Sequence, residues 1–318
     1  MKSVVALAAA AILFLLPAQT RADTVDATVL QAESLSDAGK NTQALAILNR
    51  YLASHPQDAR ALVDRGDVYQ TMGQLPESIA DYTAALVVNP EYAYAYASRG
   101  DSYNQIGNYT RALADADKAL ALRPKYGYAL RVRSVARLHT NDLPGAQDDA
   151  HAAIEAEPNS AASYATACRM DRTANQPAIA KKECLKALQI DPTNYRALFE
   201  LGRLQVDASD WADVDATFSK VLTIEDGDDP GSNYWRAEAR YNLHRADEAL
   251  SDINIYLLKN PDDGDAYYLR AQIDQQRGDL VAAKKDAASA LAHYGIDNDT
   301  EDMKRAQALL DQLNAAHS

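Results

Sequence analysis

From about residue 24 onward, apolar and small residues recur at spacings of three and four over stretches of roughly a dozen residues, the stripe that a helix of 3.6 residues per turn lays on one face. The stretches come in twos. In ARALVDRGDVYQTMGQLPESIADYTAALVVNP and AYAYASRGDSYNQIGNYTRALADADKALALRP a Gly-containing break separates them, and a proline closes the block. Each block predicts two helices, A and B. Pro56, Pro90, Pro124, Pro158 and Pro192 lie 34 residues apart and Pro261 follows after 69, so the helix pair is the unit of a repeat array.

The first residues follow a different pattern. MKSVVALAAAAILFLLPAQTRADT holds one Lys, an unbroken apolar run from Val4 to Leu16, and small residues in which Thr20 and Ala22 fit a signal-peptidase site. Cleavage is expected after Ala22. The run is short for a membrane span, and neither cysteine lies near the cleavage site to carry a lipid anchor. The mature chain is therefore expected to be exported, periplasmic or secreted, with no stable membrane insertion; the form of the signal points to a bacterial periplasm.

The blocks resemble the tetratricopeptide repeat (TPR) family. The third carries Tyr96, Gly100, Tyr103, Gly107, Ala112, Ala119 and Pro124 at that family's places, and the second Leu62, Gly66, Tyr69, Gly73, Tyr82, Ala85 and Pro90. The first is recognisable from Ala44, Leu48 and Pro56, the sixth from Leu198, Gly202, Trp211 and Phe218, the seventh from Ala237, Ala249 and Pro261, and the eighth from Tyr267, Ala271, Gly278 and Ala283. The fourth departs with Ser134 and Arg137 where Gly and Tyr belong, the fifth with Cys168 and Asp171. The resemblance implies an all-α fold: a right-handed solenoid of about eight antiparallel helix pairs plus a C-terminal capping helix. The expected domains are a signal peptide (1–22), an array (23–297) with repeats 25–58, 59–92, 93–126, 127–160, 161–194, 195–229, 230–263 and 264–297, and a cap (298–318). The polar stretch EDGDDPGSN, residues 225–233, is expected as a loop holding the one-residue excess.

The tetrapeptide Arg99-Gly100-Asp101-Ser102 has the letters of an adhesion motif, yet DRGDVY at 64–69 repeats its frame 34 residues earlier. In this architecture Gly66 and Gly100 mark where helix B comes closest to helix A, so an architectural role is expected. The two cysteines of the chain, Cys168 and Cys184, both fall in the fifth block, at the places held elsewhere by Gly66 and Tyr82. Those places face each other across one helix pair. A disulfide in an oxidising compartment is expected, the other reading being two buried thiols.

The chain has 32 Lys and Arg against 45 Asp and Glu; losing Lys2 and Arg21 with the signal leaves 30 against 45, a net charge of −15, which disfavours nucleic acid as a partner. None of G-x-S-x-G, H-E-x-x-H, G-x-x-x-x-G-K or G-x-G-x-x-G occurs. His55, His139, His151, His244, His293 and His317 are dispersed without metal-ligand spacing. The acidic runs 225–229, 262–265 and 297–302 lack a calcium-loop pattern and read as turns and caps. No enzyme activity, metal or cofactor is expected.

In the TPR family the A helices line a groove that receives a peptide or partner helix. Blocks one to three bring acids to that side, Asp26, Glu33, Asp64, Asp67 and Asp101, and blocks four to six bring Arg131, Arg169, Arg172, Arg196 and Arg203. Tyr94 and Tyr128 add flat amphipathic surface. Arginines grip carboxylates in two-pronged hydrogen bonds, so the expected partner is a protein or peptide with an acidic or C-terminal segment. The opposing expectation is that the arginines pair with Asp171 and Glu200 as ordinary helix charges. The clamp that binds chaperone tails is not in register, since Val63 and Asp67 stand at its Lys and Asn places. The expected function is a non-enzymatic periplasmic scaffold or adaptor; the alternative is a chaperone-like factor in envelope or polysaccharide assembly.

Overall fold

The structure is a computed structural model that describes residues 27–224, 230–297 and 300–315. The expected signal peptide, Asp26, the acidic run 225–229 and His317 lie outside the described residues. Regular structure among the described residues is entirely helical. Sixteen helices form eight A–B pairs: α1 (Ala27–Asp37) with α2 (Asn41–Ser54), α3 (Ala59–Thr71) with α4 (Leu75–Val88), α5 (Ala93–Gln105) with α6 (Tyr109–Leu122), α7 (Gly127–His139) with α8 (Leu143–Ala156), α9 (Ala161–Thr173) with α10 (Pro177–Ile190), α11 (Tyr195–Asp207) with α12 (Trp211–Val221), α13 (Pro230–Asn242) with α14 (Ala246–Lys259), and α15 (Gly264–Arg277) with α16 (Leu280–Asp297). The last helix, α17 (Thr300–Ala315), lays Leu309 and Leu313 over Ala271, Ala283 and Ala287 and so covers the end of the eighth pair.

Local chemistry sets the ends of these helices. Asp58, Asn108, Asp142, Ser160, Asn194 and Asp263 accept hydrogen bonds from backbone N–H groups of the first turns of α3, α6, α8, α9, α11 and α15. Every A-to-B turn passes through one left-handed residue, in order Gly39, Gly73, Gly107, Asn141, Asn175, Ser209, His244 and Gly278. Glycine and asparagine take that conformation readily; Ser209 and His244 do so against a Cβ penalty. The expected loop 225–233 is shorter than the sequence suggested, because Pro230 opens α13 and Ser232 and Asn233 are buried in its first turn. Proline suits that position, where the missing N–H has no helical acceptor in any case.

The helices group into two units, divided after Pro124. Within each, small residues let paired helices close up. A Cβ on Gly66 would stand 2.7 Å from the Tyr82 ring, and one on Gly202 would stand 2.7 Å from that of Phe218. Beside this contact five pairs carry the same ion pair sixteen residues apart: Arg65–Asp81, Arg99–Asp115, Arg133–Asp149, Arg236–Asp252 and Arg270–Asp286. Each guanidinium grips both oxygens of a nearly buried carboxylate. The adhesion-like tetrapeptide is absorbed here: Arg99 holds Asp115, Asp101 accepts from Gln70, and buried Ser102 bonds Ser78.

Candidate functional site

In the second unit the successive A helices α7, α9 and α11 carry the expected arginines. Arg131 lies over the Tyr128 ring at 5.5 Å and donates to Glu157 Oε2 (2.5 Å) and Ser163 Oγ (3.1 Å). Arg172 donates to Glu200 Oε2 at 2.8 Å and reaches Asp207 at 3.8 Å; Arg169 stands 3.9 Å from the same Glu200 and 3.4 Å from His139 Nε2. Burial first, and then Arg169, lower the His139 pKa. Arg196 is exposed on α11.

Arg203 differs from these. Its guanidinium rests 4.1 Å from the Trp235 ring centre, its buried Nε has no hydrogen-bond acceptor, and no carboxylate among the described residues lies within ion-pair distance. Burial, followed by the neighbouring Arg172, holds it below the ordinary arginine value. Trp235 and Glu238 on α13, whose Oε2 is also buried without a partner, complete this surface and escaped the sequence reading because neither occupies a family place. Glu200 does meet the arginines, whereas Asp171 turns to the other side of α9, toward α8 and α10.

Tyr94 belongs to the first unit and to a site of opposite sign. Inner faces of α1, α3 and α5 enclose a cavity of about 500 Å³ lined by Glu33, Asp37, Arg60, Asp64, Asp67, Tyr92 and Tyr94. Arg60 bridges Glu33 and Asp64, and Asp67 accepts from Tyr82 (2.7 Å) and Tyr94 (3.0 Å). Burial pushes Asp64 up to about 7 against the pull of Arg60, and Asp67 up to about 6 against its two tyrosine hydrogen bonds. Asp101 lies apart, paired with Gln70 and Gln105.

The cysteines are joined. Cys168 on α9 and Cys184 on α10 form a disulfide with 5.3 Å between Cα atoms, within the fifth helix pair. Next to it α8, α9 and α10 bring together His151, Asp171 and Glu183, a cluster that linear spacing did not reveal. His151 Nε2 stands 3.3 Å from both Asp171 oxygens, and its Nδ1 3.5 Å from Glu183 Oε1. Burial, then the adjacent Asp171, raises the Glu183 pKa. Of the acidic runs, the one at 262–265 caps α15 through Asp263, and its Asp265 accepts from Tyr294 at 2.6 Å.

Comparison with known proteins agrees with the geometry. The tetratricopeptide repeat family profile matches residues 29–70 and 63–127. No curated protein matches in sequence. Among solved structures, a chain of the APC/C hetero-tetramer Cut9-Hcn1 is similar at 15% identity with a TM-score of 0.73; the match covers 90% of this chain and 55% of that one. A tetratricopeptide repeat protein from Parabacteroides merdae is similar at 16% identity (TM-score 0.57; 77% of this chain, 97% of that one). PilF from Pseudomonas aeruginosa is similar at 18% (TM-score 0.59; 68% and 96%). At such identities the structural likenesses speak for the fold. Residues 29–127 match the tetratricopeptide repeat family profile, and the fold of the described helix pairs is that of tetratricopeptide repeat proteins. No helix among the described residues is long and apolar enough to cross a membrane.

Proposed function

We propose that this protein is an exported, non-enzymatic adaptor that holds an acidic partner segment against α7, α9, α11 and α13. The observation that carries the reading is Arg203: stacked on Trp235, partly desolvated, with an unpartnered Nε and no carboxylate of the described residues within ion-pair distance, it is a preplaced cation. Arg169 and Arg172 beside it share one Glu200, leaving donors for a further carboxylate. Export is supported by the apolar run Val4–Leu16 ahead of Ala22 and by the disulfide, which suits an oxidising compartment such as the periplasm.

The test is affinity capture on mature protein from an envelope extract of the source organism, repeated with an Arg169→Glu, Arg203→Glu variant. A few stoichiometric proteins that disappear with the variant are expected. A broad client set indifferent to the variant overturns the adaptor reading in favour of a chaperone-like factor. The first-unit cavity has its own reading: four acids against one arginine suit a lysine or arginine side chain of a partner, and Asp67→Asn is expected to weaken binding of basic but not acidic peptides.

A further inference from the structure

We propose that His151, Asp171 and Glu183 bind one divalent transition-metal ion of the zinc class, which stands where other repeats keep an arginine. The argument begins with the repeat itself. In the second, third, seventh and eighth helix pairs an arginine on helix A grips an aspartate on its own helix B and also donates to a polar group on the preceding helix B. That group is Asn49, Thr83, Ser219 or Asn254 in turn. In the fifth pair the acid is retained as Glu183 and the preceding-helix place is held by His151, but the arginine place is Ala167. The acid has lost the arginine of its repeat.

A second acid aggravates the deficit. Asp171, one turn beyond Ala167, is fully buried, and its Oδ2 accepts no hydrogen bond; Glu183, nine-tenths buried, has an equally unpartnered Oε2. Two desolvated carboxylates facing one imidazole call for positive charge. One ligand atom from each of the three residues can be chosen so that all lie within 4.8 Å of one another. Donors around zinc, at about 2.0–2.2 Å from the metal in a tetrahedron, stand roughly 3.3–3.5 Å apart. His151 Nε2 and Asp171 Oδ2 already have that separation, at 3.3 Å; Glu183 Oε1 lies 3.5 Å from the other ring nitrogen, Nδ1, so its carboxylate moves to supply the third donor.

The donor set favours a first-row transition ion over calcium, which takes six to eight oxygens. Gln147 donates to Asp171 Oδ1 at 2.7 Å, orienting the carboxylate from outside while Oδ2 faces the cluster. Helices α9 and α10 are pinned by the disulfide beside these ligands, since Asp171 is three residues after Cys168 and Glu183 adjoins Cys184. Access exists as well: His151 and Glu183 form part of the wall of a cavity of about 1070 Å³ between α8 and α10, whose wall also includes the apolar Ile154, Ile179 and Leu185 and the cationic Lys181, Lys182 and Lys186.

The test is calorimetric titration of untagged, chelator-treated full mature chain with zinc chloride at pH 7, with cobalt(II) absorption as a second reading of coordination. One ion per chain at micromolar affinity or tighter is expected, with binding weakened at least tenfold by His151→Ala. Ala167→Arg, which restores the guanidinium of the other repeats, is expected to abolish binding while leaving the helical circular dichroism unchanged. His151 is part-exposed, so its variant decides the matter even if Ala167→Arg fails to fold. No saturable binding, or binding indifferent to His151→Ala, overturns the proposal.

Discussion

Replacing Arg270 by Met tests whether the repeated Arg–Asp pair is a structural clamp. Arg270 holds Asp286 through Nε at 2.5 Å and Nη2 at 3.0 Å, and no other cation among the described residues reaches that carboxylate, whose side chain is 6% exposed. Methionine keeps the apolar stem and leaves the anion unpaired. Removing one partner of a fully buried pair costs about 3–5 kcal/mol. Arg270 is itself 22% exposed, and discounting for solvent brings the expected loss to about 2–3 kcal/mol. Arg236→Met, in the neighbouring repeat, is the internal control. Asp252 there is gripped by Arg236 at 2.6 and 2.8 Å but also by Arg240 at 2.8 Å, so a cation remains and the loss shrinks to about 1 kcal/mol. Urea unfolding followed by helical circular dichroism, compared at equal slope, reads the difference. Equal losses, or an Arg270→Met variant within about 0.5 kcal/mol of the parent, would refute the clamp.

Three further outcomes are expected. Replacing both Cys168 and Cys184 by Ala should cost about 3 kcal/mol, the chain-entropy value for a loop of sixteen residues, and thiol labelling of the parent without reductant should find no free thiol. Ser209→Gly relieves an exposed left-handed turn and should stabilise by about 0.5–1 kcal/mol in the same urea assay; destabilisation would show that the serine does more than turn the chain. Because Asp64 and Asp67 bind protons more tightly in the fold than their ordinary value of 3.8, their stabilisation is complete below about pH 3.8 and is lost as pH rises through about 6 to 7. Asp64→Asn should therefore gain stability relative to the parent at pH 8 more than at pH 5, and a pH-independent difference in thermal midpoint would contradict the burial argument.

Much of the fold was legible in the chain. Spacings of three and four gave helices, the prolines gave the period, and Gly73 and Gly107 gave the A–B turns, because each depends on interactions within one or two turns of chain. The cysteine pair was legible for the same reason: once the period is known, Cys168 and Cys184 fall on the facing places that Gly66 and Tyr82 occupy. The Arg–Asp clamp was present in the letters as well, sixteen residues apart in five pairs, but only the structure shows that this spacing brings the side chains together across an A–B pair.

The sites were legible only as inventories of charge. Sequence placed five arginines on A helices but not that Arg203 rests on Trp235 with no ion pair among the described residues while Arg169 and Arg172 share Glu200. Tyr94 read as a companion of those arginines and instead holds Asp67 in an acidic cavity. His151, Asp171 and Glu183 are twenty and twelve residues apart and come from three helices, so no local pattern joins them. The sequence by itself determined the helix pairs and their period, since those depend on backbone hydrogen bonding and near-neighbour sterics. The tertiary structure alone decided which charges remain unpaired, because pairing depends on side chains brought together between helices.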